Sequence, residues 1–133
     1  MKKGICVIAT VLFLFPAGIS LAAPNMDEGL WEITSTVNAP GTAGKSFTHT
    51  TCLTKEKAVP QRSESGCTVK DVKTQDNTIS WTVVCREGMT TSTGKVTYAG
   101  TTMDGVVETI VKTGGQTMTM KSSIRGKRIG PCK

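Results

Sequence analysis

Between Cys67 and Cys85 the chain reads as two β-rich runs around a polar turn, with a cysteine at each outer end. Thr68 to Thr74 and Thr78 to Val84 are rich in β-forming residues and lie on either side of Gln75-Asp76-Asn77. This pattern predicts a β-hairpin whose open mouth can be stapled, and it commits the middle of the chain to β structure. If Gln75, Asp76 and Asn77 form the loop, Cys67 falls opposite Cys85, with Asp71 opposite Trp81. A two-residue Asp76-Asn77 loop would shift the pairing by one and misalign the cysteines. Opposed residues of a non-hydrogen-bonded pair stand about 4.5 Å apart at Cα, within reach of a disulfide. Ile79, Trp81, Val83 and Cys85 share a face, which predicts a central strand.

The flanking segments repeat the period of two. Gly29 to Val37 places Trp31, Ile33 and Val37 on one face and Glu32, Thr34 and Thr36 on the other. Residues 38–44 form a loop, by Pro40-Gly41 and the small residues around them. Ser46 to Leu53 is a Thr-rich strand with Phe47, His49, Thr51 and Leu53 on one side. Thr54 is placed to cap a short helical turn through Lys55–Ala58, stopped by Pro60, and residues 61–66 are a polar loop. Beyond the hairpin, Arg86–Thr93 reads as a loop, Lys95–Ala99 as a short strand and Gly100–Asp104 as a turn. Val106–Lys112 is the next strand. Gly114-Gly115 then turns the chain into Gln116–Ile124, where Met118, Met120 and Ile124 point one way. The expected fold is all-β: an antiparallel meander of about seven strands forming a small barrel or curved sheet, with one short helical turn.

The chain begins with Lys2 and Lys3, an apolar run from Ile5 to Leu21 broken by Pro16 and Gly18, and small residues at 20–23. This is the pattern of a secretory signal peptide, with cleavage expected after Ala22. The run is short and helix-broken for a membrane anchor, and Cys6 lies deep inside it without a lipoprotein-type box. Residues 23–133 then form one domain of roughly 110 residues, with no second apolar stretch of spanning length. Four cysteines remain: Cys52, Cys67, Cys85 and Cys132. An even count in an exported chain reads as two disulfides in an oxidising compartment. Zinc is disfavoured, because no close cysteine pair and only one histidine are present. The hairpin geometry favours Cys67–Cys85, which leaves Cys52–Cys132 by elimination. The pairings 52–67 with 85–132, and 52–85 with 67–132, remain open. Loss of Lys2 and Lys3 leaves 14 basic residues against 10 acidic ones, a weak bias toward anionic partners.

Several stretches together resemble a known family: Gly29-Leu30-Trp31-Glu32, Thr51-Cys52-Leu53-Thr54 and Cys67, then Asn77-Thr78-Ile79-Ser80-Trp81 leading to Cys85. Gly114 to Met120 and Gly126-Lys127-Arg128-Ile129-Gly130-Pro131-Cys132 complete the set. In this order they resemble the small exported proteobacterial proteins of domain of unknown function 3617 (DUF3617). The resemblance implies a periplasmic four-cysteine β domain in a Gram-negative cell. It implies no reaction, cofactor or catalytic residue. Members often carry several methionines in the loop after the first strand, whereas residues 39–44 carry none.

No catalytic constellation stands out. His49, the only histidine, has no nucleophile motif near it, and the ten acidic residues are scattered. A non-enzymatic protein is expected. Met118 and Met120 are soft thioether ligands on one strand face and suit Cu(I), with His49, Met89 and Met103 as further candidates. The same face runs on to Ile124, so core packing competes with metal binding. Lys121, Arg125, Lys127, Arg128 and Lys133 form a run without an acid. It fits either anionic envelope lipid or a solvated edge that discourages strand pairing. Nucleic acid is excluded by the export signal and by the scarcity of aromatics for stacking. The expectation is a binding or envelope-associated protein for a small apolar or amphiphilic ligand. Copper binding through Met118 and Met120 is the alternative, and a structural or partner-binding envelope protein with no small ligand is the second.

Overall fold

The computed structural model describes residues 23–41, 44–60 and 64–133. The expected signal peptide at 1–22 lies outside the described residues, as do 42–43 of the first loop and 61–63 of the second. Among the described residues the chain forms seven strands: β1 (Gly29–Asn38), β2 (Lys45–Leu53), β3 (Cys67–Gln75), β4 (Thr78–Cys85), β5 (Thr90–Ala99), β6 (Thr102–Thr113) and β7 (Gln116–Gly130). They make one antiparallel sheet in the order β2-β1-β7-β6-β5-β4-β3. Strands β3 to β7 are therefore a meander, and the β1–β2 hairpin returns to lie against β7.

Alternation puts one side of this sheet in the core. Trp31, Ile33, Ile79, Trp81, Val83, Val96, Tyr98, Met103 and Ile124 are all buried, and the pairing registers place them on a single face. In a flat sheet Trp31 on β1 and Tyr98 on β5, three strand spacings apart, would be held about 14 Å from each other. Their ring centroids lie 5.6 Å apart, edge to face at 84°. The sheet must therefore curl, with this face inward. Gly94 stands directly opposite Trp81, and a Cβ there would collide with the indole ring. That glycine is a seat for the tryptophan rather than a strand breaker.

Among the described residues β2 and β3 each have one strand neighbour, so the sheet is open rather than a closed barrel. The segment from Thr54 to Gly66 joins these two edges. It begins with the Lys57 amide donating to both Thr54 O (3.0 Å) and Thr54 Oγ1 (3.2 Å). Ala58 and Pro60 are buried beneath it, and the Tyr98 hydroxyl donates to the Ala58 carbonyl. The expected helical turn at Lys55–Ala58 is absent. The connection must run from one sheet edge to the other, and the Ala58 carbonyl is taken by Tyr98 instead of a local helical amide. The one 3-10 turn lies at Arg86–Gly88.

The N-terminal residues close the same end. Met26, 2% exposed, forms a parallel bridge with Gly100. The Asn25 amide donates to Asn77 Oδ1 and the Trp31 indole to the Asp27 carbonyl.

The hairpin differs from its expected form in one respect. Its loop is the two-residue Asp76-Asn77 turn, since Gln75 pairs with Thr78. Cys67 nevertheless faces Cys85, because Lys70 pairs with Thr82 while Lys73 pairs with Ser80. Asp71 and Val72 thus share the place opposite Trp81, as a β-bulge. Asp71 takes a left-handed backbone, φ 54°, which aspartate tolerates better than most residues. Elsewhere strands are longer than expected. β5 begins at Thr90, β6 at Thr102, and β7 runs to Gly130 through the basic tail. The disulfides are Cys67–Cys85, Cα atoms 4.1 Å apart, and Cys52–Cys132, 5.5 Å apart.

Candidate ligand-binding face

The inner face is covered over only part of its area. At one end the 54–60 segment and the N-terminal residues enclose Trp31, Tyr98, Met103 and their neighbours. Toward the other end of β2, β1, β7 and β6 the same face carries side chains that nothing among the described residues covers. Registry sets them in rows. Phe47, Ser35 and Ile124 form one row, and Lys45, Val37, Ser122 and Val107 the next. Met120 lies beside Thr109, and Met118 beside Val111. Phe47 is 60% exposed and Met118 59%; Val37, Val107, Val111 and Met120 are half-buried. The surface is thus mostly apolar, with hydroxyls from Ser35, Ser122 and Thr109.

His49 sits at the margin of this surface, one inward position beyond Phe47 on β2 and paired with Ile33. Its Nε2 atom is buried and has no hydrogen-bond partner among the described residues. Buried polar atoms without partners are uncommon, because the protein forfeits their hydration without replacement.

The outer face is mostly polar, with Val106 (61% exposed) and Ile110 of β6 as apolar exceptions. Asp104 stands opposite Arg125, Glu108 opposite Lys121, and Glu32 opposite Lys127. The nearest nitrogen–oxygen distances are 3.5, 3.7 and 3.3 Å. The basic run of β7 is acid-free in sequence but meets an acid on a neighbouring strand at each of these three positions. Arg128 points to the other side, where its Nε donates to the Glu28 carbonyl at 2.8 Å. A shallow recess of about 600 Å³ over β1 and β7 is lined by Glu32, Thr34, Thr36, Arg125 and Lys127. Its charges are already engaged, Glu32 with Lys127 and Arg125 with Asp104.

The soft-ligand candidates do not assemble. Met103 is buried in the core, 1% exposed, against Gly126. Met89 lies outside the strands, after the 3-10 turn. His49 is level with Gly126, six residues along β7 from Met120, a distance of about 20 Å along the strand. Only Met118 and Met120 remain together. Among the described residues no group of three or more His, Cys, Asp or Glu side chains is placed to hold a metal.

A family model described as a protein of unknown function, DUF3617, matches residues 26–132. The chain belongs to this family. The matched span opens at Met26, a buried residue of the N-terminal cap, and ends at Cys132, the half-cystine bonded to β2. The DUF3617 match therefore takes in the whole described sheet, both bridges and the open inner surface. No curated protein and no solved structure matches the chain.

Lys45 and Phe47 escaped the sequence reading as site residues. Phe47 was on the correct face, but alternation alone cannot tell a covered apolar residue from an uncovered one. Lys45 fell outside because the strand was begun at Ser46, one residue late.

Proposed function

We infer that this protein is a non-enzymatic binding protein of the periplasm, which holds a small apolar or amphiphilic ligand on the uncovered part of its inner face. The supporting observation is the exposure of Phe47 and Met118, 60% and 59%, on the face whose other half buries Trp31 and Ile33 completely. A contiguous apolar surface left open beside a packed core marks a binding site more often than a scattered exposed residue does. The export signal and paired cysteines support an oxidising compartment outside the cytoplasm. Native mass spectrometry of protein purified from its own periplasm tests this reading. A retained organic mass is expected. Phe47→Ser lowers retention roughly tenfold or more, the worth of a buried phenylalanine side chain. A bare chain that takes up no amphiphile on incubation ends the proposal.

Copper remains as a second reading on one observation. Met118 and Met120 share the open surface, about 7 Å apart at Cα, and Met118 is too exposed to be core filling. Cu(I) titration of wild type against Met118→Leu/Met120→Leu decides it, since equal affinities exclude a thioether site.

A further inference from the structure

Strand β2 sends three side chains inward in succession toward the open surface: Lys45, Phe47 and His49. Phe47 is the exposed apolar member, and the residues on either side of it are polar. Lys45 has no ion pair among the described residues, and His49 Nε2 is buried without a partner.

The signs of the surrounding charges are one-sided. The four strands that floor the open surface, β2, β1, β7 and β6, contain three acids, Glu32, Asp104 and Glu108. All three point outward and pair with Lys127, Arg125 and Lys121. The inner side of these strands has no carboxylate to neutralise Lys45. Lys45 is exposed, so an anionic ligand there would meet a cation that no protein carboxylate already holds.

Resting on the apolar-ligand reading above, we propose that the open surface takes an amphiphile with an anionic head, a carboxylate or phosphate monoester on an alkyl chain. Lys45 and His49 are the head-group site. The Lys45 ammonium donates to one head-group oxygen. The His49 Nε2–H, which has no partner among the described residues, donates to another. Their Cα atoms are about 13 Å apart along the strand. The alkyl chain then lies across Val37, Val107, Met120 and Met118, where the floor is apolar.

The test uses the purified protein with both disulfides intact and four dodecyl probes below their micellar concentrations: dodecanoate, dodecyl phosphate, dodecanol and dodecyltrimethylammonium. Calorimetry gives affinities. The ring nitrogen-15 signals of His49, free of overlap because the chain has one histidine, report the head group. The two anions are expected to bind at least about tenfold tighter than the alcohol and the cation, the usual worth of one charge-assisted hydrogen bond. Only the anions should move the imidazole signals. Lys45→Gln and His49→Gln should each lower anion affinity toward that of dodecanol. The stronger of the two anions identifies the head as a fatty-acid carboxylate or a lipid phosphate.

Equal binding of anion and cation, or an anion preference that survives Lys45→Gln, overturns the head-group site and leaves apolar binding standing. A protein that is a dimer by sedimentation, and becomes a monomer in Phe47→Ser, shows that a second copy covers the face and also overturns it. Failure of all four probes to bind overturns this proposal and the apolar-ligand reading together.

Discussion

Tyr98 links the sheet to its cover. It is 1% exposed, stacks edge-on against Trp31, and donates its hydroxyl to the Ala58 carbonyl. Burial pushes its phenol well above the ordinary tyrosine value, because a buried phenolate would lose its hydration. The folded pKa is therefore higher than the unfolded one. The stability tied to Tyr98 is complete below about pH 10 and is lost as pH rises from there toward the folded value. Tyr98→Phe should cost about 1–3 kcal/mol near neutral pH, leaving the Ala58 carbonyl unsatisfied. The gap between variant and wild type should narrow between pH 10 and pH 11.5. Urea unfolding at both ends of that range measures it. The absorbance of the single tyrosine follows the ionisation directly, and a gap that stays constant with pH would refute the account.

The β3–β4 hairpin shows how one extra residue is absorbed. Its two-residue turn would slide Cys67 past Cys85, and the bulge at Asp71 and Val72 restores the opposition. Deleting Val72 removes the surplus residue, so regular pairing from Gln75 back to Cys67 should return without the bulge. The bridge should still form, and alkylation without reductant should find no free thiol; a thiol at Cys67 would show that the bulge has another purpose. Face assignment in this and the other strands was legible in advance, because alternation is a direct record of burial. Trp31 and Ile33, Ile79 and Trp81, and Met120 and Ile124 all lie on the inner side as read. The bulge was not legible, since no residue type at 71–72 announces it. Nor was the first half of β5: Gly94 looks like a strand breaker until the indole of Trp81 is placed over it. The orphan nitrogen of His49 depends on what packs around it from other strands, so strand periodicity carries no sign of it.

At the scale of the whole molecule, the two bridges are comparable with the net stability of the domain. The chain-entropy treatment assigns about 3 kcal/mol to the loop closed by Cys67–Cys85 and about 4.5 kcal/mol to that closed by Cys52–Cys132. A domain of this size has a total of only about 5–15 kcal/mol. The ion pairs of the outer face add little, being solvent-exposed. Among the described residues no helix is long and apolar enough to cross a membrane.

The edge position of β2 has a mechanical consequence. At one end Leu53 is in the core, 3% exposed, and Cys52 is bolted to Cys132. At the other, Lys45, Ser46 and Phe47 are exposed and are held by the ladder to β1, by the hairpin connection and by the Ser46–Thr36 hydroxyl pair. The strand is an edge anchored at the disulfide, with its exposed end next to the open surface. Among the β2 amides bonded to β1, exchange should therefore slow from the Phe47 end toward Leu53, and the gradient should flatten in Cys52→Ala/Cys132→Ala. Uniform exchange along the strand in the oxidised protein would show that the exposed end is held as firmly as the anchored one. With the gradient present, a ligand can enter by lifting the tip of one strand while the buried tryptophans stay packed.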